Sequence, residues 1–208
     1  MTQPRYLYRV FAALFASLLL AACGGPQSDG NAGGGADSDA PPLAGAAIGG
    51  AFTLVDKNGH SVRWSDFAGH WRIVYFGYTF CPDACPTDMG VEARGLALFA
   101  RSHPKQADNI RPIFITIDPA RDTPKVVGQF AAAFSPRLIG LTGTPAQIDA
   151  AAKAFAVYYA RGKNTPGGYL MDHSRTAYLM DPNGAPIAIL PIDKSAGAVA
   201  DELAHWIK

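Results

Sequence analysis

Cysteine is scarce: three in 208 residues. At most one bridge can form within the chain, so a disulfide framework is excluded and the fold must rest on packing. Charge is also thin, at 17% of residues with a formal net charge of +1. Acids and bases are interspersed, with no Lys/Arg run or basic stripe, so the footprint of a nucleic-acid binder is missing. Bulk charge steers no acidic partner toward the chain. No internal repeat is evident, and no apolar run reaches transmembrane length. The longest, Val10 to Ala22, is too short for a helical span. What the chain does have is apolar content, 49% of residues, enough for one full core.

That short apolar run follows Arg5 and Arg9 and ends Leu20-Ala21-Ala22-Cys23. A positive start, a hydrophobic stretch and small residues before a cysteine resemble a bacterial lipoprotein signal, in which the cysteine becomes the lipid-bearing first residue. Residues 1–23 are therefore expected to be a signal sequence with Cys23 lipidated, anchoring the protein to the cell membrane and facing the periplasm. A plainly cleaved signal or an uncleaved anchor is the competing reading, and in each case the soluble part leaves the cytoplasm. Residues 24–47 are rich in Gly, Ala, Asp and Pro and read as a flexible tether. The folded domain is expected over 48–208. With Cys23 set aside, Cys81 and Cys85 remain as an isolated pair, and in an oxidising compartment such a pair is a disulfide, a redox site or a metal site.

Within the domain, Phe52 to Asp56 and Ser61 to Trp64 flank Lys57-Asn58-Gly59, a hairpin pattern. Ile73 to Gly77 is a short apolar run suited to a buried strand. A helix is expected from Pro86, with Cys85 as its N-cap and Met89, Leu96 and Phe99 facing the core. Ile113 to Ile117 is a second buried strand, Thr123-Pro124 opens another helix, and Leu138 to Leu141 is a third strand. Thr144-Pro145-Ala146-Gln147 is a capping box before a helix over Ile148 to Ala156. Thr176 to Met180 and Ile187 to Leu190 form a late hairpin, and Ser195 to Lys208 closes as a helix. Strands alternating with helices predict parallel pairing, and the late hairpin adds antiparallel strands. The expected class is α/β: a mixed central sheet with helices on both sides and an N-terminal hairpin. A cysteine pair at a strand-to-helix junction points to a thioredoxin-like three-layer fold.

Cys81 and Cys85 stand four apart. On one continuous helix their Cβ atoms would lie about 5–6 Å apart, wide for the roughly 3.5–4.5 Å a disulfide needs. A loop before the helix can instead bring both sulfurs to one point. A thiol at a helix N-terminus ionises more easily. Asp83 and Asp88 oppose this, and a bound cation would reverse their effect. Two thiolates are a soft donor set suited to Cu(I), with zinc as competitor. A structural zinc site wants four ligands, and the domain has only two cysteines. Among the five histidines, His173 lies just before an expected strand, in a loop of the kind that assembles sites in α/β folds. Position alone does not separate it from a surface histidine.

Gly77-Tyr78-Thr79-Phe80-Cys81-Pro82-Asp83-Ala84-Cys85-Pro86 resembles the signature of the Sco/SenC family, thioredoxin-like copper proteins that help assemble the copper centre of cytochrome c oxidase. Ile115 to Pro124 and Asp172-His173-Ser174, followed by Tyr178 to Gly184, resemble the family's second and third motifs in the same order. The resemblance implies Cys81, Cys85 and His173 as copper ligands. It also implies the copper-bearing oxidase subunit as client and another periplasmic copper donor as a further partner. One departure is Phe80, where many members carry a histidine outside the ligand set. Asp118, with Arg121 and Asp122, either supports the site or forms an ion-paired turn before a capped helix. Asp172 either orients His173 or caps a turn. A metallochaperone is the leading function. A thiol–disulfide oxidoreductase using the Cys81–Cys85 pair, or a redox or copper sensor, is the alternative.

Overall fold

A computed structural model describes residues 40–208. The signal-like segment, Cys23 and the first part of the expected tether lie outside the described residues. Apolar β-branched and aromatic runs form the centre. β3 (Trp71–Gly77) and β4 (Ile110–Thr116) are buried along almost their whole length and pair in parallel. β5 (Ile139–Leu141) extends the parallel half, while β8 (Ala177–Met180) and β9 (Pro186–Leu190) add the antiparallel half. The sheet order is β5-β4-β3-β8-β9, the mixed sheet expected from the sequence. An outlying pair, β1 (Thr53–Val55) with β2 (Ser61–Arg63), forms the N-terminal hairpin.

Strand alternation sends β3 side chains to opposite layers. On one side Tyr75 reaches α1 (Ala84–Ser102), donating its hydroxyl to Asp88 at 2.9 Å. Phe114 on the same side meets Phe130 of α3 (Pro124–Phe134), with ring centroids 4.8 Å apart. α5 (Ala196–Trp206) packs beside α1 through Val199 and Leu203. On the other side Phe76 packs on Phe155, at the end of α4 (Pro145–Ala154), with Phe52 and Trp64 around it. Helix starts follow local chemistry. Thr123, Thr144 and Ser195 each accept an N–H of the first turn, and the Thr144–Gln147 capping box is present.

Four expectations need correction. α1 starts at Ala84, not Pro86, and Asp83 rather than Cys85 holds the N-cap position. Pro86 falls third in the helix, where its missing N–H has no intrahelical partner to lose. A short helix, α2 (Pro104–Asp108), was not expected. Neither was a second hairpin, β6 (Tyr159–Thr165) with β7 (Gly168–His173), a two-stranded sheet of its own. Finally, residues 40–47 are not free tether. They form a turn that lays Leu43 along the sheet edge, its N–H donating to Ile187 O, and Leu43 packs against the core.

Four buried side-chain atoms among the described residues lack a hydrogen-bond partner, on Arg72, Glu92, His103 and Arg121. Glu92, on the inner face of α1, has an Oε2 without a hydrogen bond. Burial, with the nearby charge of Asp88, pushes its carboxyl up to about 8. The folded state thus keeps a proton that the unfolded chain gives up near 4.5. Stability from this group is complete below 4.5 and is lost as pH rises through about 8. Denaturant unfolding across that window should show a loss on the order of a few kcal/mol. Glu92→Gln should flatten it, and an equal slope in the variant would reject Glu92 as the source.

Candidate metal centre

β3 ends at Gly77, and the chain then turns through Tyr78 to Asp83 before α1 begins. Gly77 is needed for contact. A Cβ there would stand 2.8 Å from the Tyr75 ring, 3.1 Å from Cys85 Sγ and 3.1 Å from the Phe114 ring. The turn is pinned from the next strand's loop. Asp122 accepts from the Thr79 N–H at 2.9 Å and the Thr79 hydroxyl at 2.6 Å, and also from Thr116. Asp122 is buried, and burial holds its carboxyl above the ordinary range despite those donors.

The loop delivers Cys81 to the start of α1. Cys85, in the first helical turn and fully buried, donates its backbone N–H to Cys81 Sγ at 3.3 Å. Cys81 therefore does what an N-cap side chain does, while Asp83 makes no side-chain capping bond. Both thiols are free. Cys81 is pushed down to about 3, mainly by a hydrogen bond from the Cys85 thiol, with His173 and the N–H groups of Cys85 and Asp83 helping against burial. Cys85 is pushed up, first by sharing its proton with Cys81 and then by burial. The helix start thus favours a thiolate at Cys81, not at the residue expected to cap it.

His173 is the last residue of β7, rather than part of a loop. Its Nδ1 lies 2.9 Å from Ser174 O. A carbonyl only accepts, so Nδ1 carries a proton. Nε2 faces Cys85 Sγ at 3.4 Å. Tyr75 and Tyr78 wall the ring edge-on, at centroid distances of 6.2 and 6.0 Å. Among the described residues no three such side chains already form a closed cation cage. The donors meet through Cys85, which touches both of the others. Cys81 and His173 line a cleft of about 360 Å³, with the fully buried Cys85 in contact with both, and two sulfurs with an imidazole nitrogen fit a soft cation. A cleft of about 390 Å³ between Lys57 and α3 is lined by neither cysteine nor histidine.

Asp118 does not touch the donors. It pairs with Arg121 and accepts the Tyr169 hydroxyl at 2.8 Å, while Arg121 donates to Tyr169 O at 2.8 Å. The Arg121 guanidinium lies 3.7 Å from the Tyr169 ring centroid and 5.0 Å from that of Phe80. Asp118 is thus an ion-paired turn residue that also grips the strand carrying His173. Asp172 is exposed and pairs through its backbone with Ala160, and the Ser174 carbonyl accepts the hydrogen bond of His173 Nδ1 in its place. His60, His70, His103 and His205 bond or stack elsewhere. Sequence reasoning missed Arg175, which lines the cleft, and its pairing with Asp88. It also missed the β6–β7 hairpin, although Thr165-Pro166-Gly167-Gly168 carries a turn signature.

A family model described as SCO1/SenC matches residues 40–208. Protein SenC of Rhodobacter capsulatus is 42% identical over 164 residues, covering 79% of this chain and 72% of that protein. The mitochondrial SCO1 homologue of Mus musculus is 37% identical over 162 residues, 77% of this chain and 56% of its own length. The chain thus spans just over half of the mouse protein. Among solved structures, Arabidopsis thaliana ScoI with copper bound superposes with a TM-score of 0.71 at 34% identity, covering 75% of this chain and 95% of that one. The thioredoxin domain of a Bacteroides vulgatus thiol–disulfide oxidoreductase shares the fold alone, with a TM-score of 0.53 at 14% identity over 77% of this chain and 96% of that one. The fold is thioredoxin-like.

The tight approach at Gly77 gives a direct test. Gly77→Ala forces a methyl between Tyr75, Phe114 and Cys85. Overpacking of this kind should cost about 1–3 kcal/mol in denaturant unfolding. An unchanged midpoint would show that the strand end gives way freely.

Proposed function

The chain belongs to the SCO1/SenC family, and from that premise we propose that it is a copper metallochaperone that helps metallate the copper centre of cytochrome c oxidase. Cys81, Cys85 and His173 hold the metal. Copper is bound in the solved Arabidopsis relative. The observation that carries the ligand assignment is His173 Nε2 at 3.4 Å from Cys85 Sγ, with Cys81 Sγ accepting the backbone N–H of the same cysteine at 3.3 Å. Copper entering between them displaces the proton that the two sulfurs share. Uptake therefore releases protons and weakens as pH falls. Two thiolates and an imidazole suit Cu(I), whereas a structural zinc site needs a fourth ligand.

Delivery is an exchange of ligands with a client's thiolates or imidazoles through the open cleft. The receiving protein is the copper-bearing oxidase subunit, and a periplasmic copper donor fills the site. Phe80, 51% exposed beside the cleft, is a contact for such partners. The lipid at Cys23 keeps the domain at the periplasmic face of the membrane. Among the described residues no helix is long and apolar enough to cross a membrane. The thiol–disulfide oxidoreductase reading retains one supporting observation: Cys81 is held as a thiolate in contact with a second free thiol.

An anaerobic copper titration of the reduced protein, read by native mass spectrometry, separates these readings. The expected result is one copper per chain, abolished in Cys81→Ser and Cys85→Ser and weakened at least roughly tenfold in His173→Ala, as loss of a metal-centre contact does. Protein oxidised to a Cys81–Cys85 disulfide should bind no Cu(I). If the reduced wild type takes up no stoichiometric copper, the metallochaperone reading fails and the reduction potential of the pair becomes the property to measure.

A further inference from the structure

His173 is supplied by a hairpin that is not hydrogen-bonded into the central sheet. Its position at Cys85 must therefore be set by whatever ties the two ends of β7. The upstream end is held at Tyr169 by Arg121 and Asp118. The downstream end runs into β8, which pairs with β3 from Ala177 onward, and between the two it is held by Arg175, two residues past His173. Its Nε donates to Asp88 Oδ2 at 3.0 Å and its Nη2 to Asp88 Oδ1 at 2.6 Å, a fork on a carboxylate. Asp88 is 1% exposed and also accepts the Tyr75 hydroxyl at 2.9 Å. It stands three residues after Cys85 on α1, so the two side chains share a helix face. Tyr75 in turn packs edge-on against the His173 ring.

These contacts close a ring: Cys85, one turn of α1, Asp88, Arg175, His173 and back to Cys85. Resting on the copper-site reading above, we propose that Arg175 is a positioning residue. Its fork on Asp88 holds the chain after His173 against the cysteine-bearing helix and so keeps the imidazole at the metal position. Neither Arg175 nor Asp88 is itself a ligand. The fork depends on guanidinium geometry. A lysine would keep the charge that compensates buried Asp88 but cannot span both carboxylate oxygens from a fixed plane.

Arg175→Ala would strand a buried carboxylate and endanger the fold, so the test uses Arg175→Lys and Asp88→Asn. Both break the fork without leaving an isolated buried charge. Cu(I) affinity is measured by competition with a chromophoric chelator for wild type, each variant, His173→Ala, and each variant combined with His173→Ala. Each fork variant should weaken copper roughly tenfold in the wild-type background and change nothing further once His173 is gone. Electron paramagnetic resonance of the Cu(II) form should lose imidazole nitrogen coupling in Arg175→Lys. Equal weakening in both backgrounds, or no weakening while His173→Ala does weaken, would overturn the positioning role and leave the ligand assignment standing. No effect of His173→Ala would remove the ligand assignment and the positioning role with it.

Discussion

The buried Cys85 thiol is the hinge of this site. Its backbone N–H donates to Cys81 Sγ at 3.3 Å, and its sulfur lies 3.4 Å from His173 Nε2. The contact with His173 is not local to the cysteine loop but spans 88 residues. Cys85 can sit there because β3 ends in a residue without a side chain, and because the parallel pairing of β3 with β4 places Gly77 opposite Thr116. Thr116 shares Asp122 with Thr79, so the strand beside β3 also fixes the turn that carries Cys81. A change in β3–β4 register would move both sulfurs. The site is in this sense an extension of the sheet.

The three donors are anchored very unequally. Both cysteines belong to the junction of a core strand and a long helix, and Cys85 is fully buried. His173 closes a polar hairpin whose far end is largely exposed. Elements with few buried apolar contacts open at lower free energy than the core. Under the proposed copper delivery, the imidazole is therefore the ligand that can leave first while the thiolates keep their grip. Two arginine clamps, at Tyr169 and after His173, then set how freely it leaves.

Features set by neighbours in the chain were legible from the sequence. Thr123-Pro124 and Thr144-Pro145-Ala146-Gln147 cap helices because capping is a matter of three residues. Ile73 to Gly77 and Ile113 to Ile117 read as buried strands because they are short and almost wholly apolar, Thr116 being the exception. The β6–β7 hairpin escaped for the opposite reason. Arg161-Gly162-Lys163-Asn164 has no apolar alternation, since neither face of that end is buried. Leu43 escaped because one apolar residue among Gly, Ala and Pro leaves no pattern. Of the site, the cysteines and His173 were reachable from the soft-donor set together with the family resemblance. The Asp88–Arg175 fork spans 87 residues, and no local pattern announces a pairing at that distance.

That fork also explains how an acidic helix face can lie under a site that must keep thiolates. Cys85, Asp88 and Glu92 all lie on the buried side of α1. Three anions stacked along one buried stripe would repel one another with little solvent to screen them. The structure resolves this differently at each position. Cys85 keeps its proton by leaning on Cys81, Glu92 keeps its own because burial and Asp88 raise it, and Asp88 is paired with the Arg175 guanidinium. A monovalent cation bound by the sulfurs replaces the proton of Cys85 with a positive charge of the same size, so the balance along the helix is preserved on loading. Removing Arg175 would break that balance at Asp88 whether or not metal is present, which is why the positioning role has to be tested with variants that spare the charge.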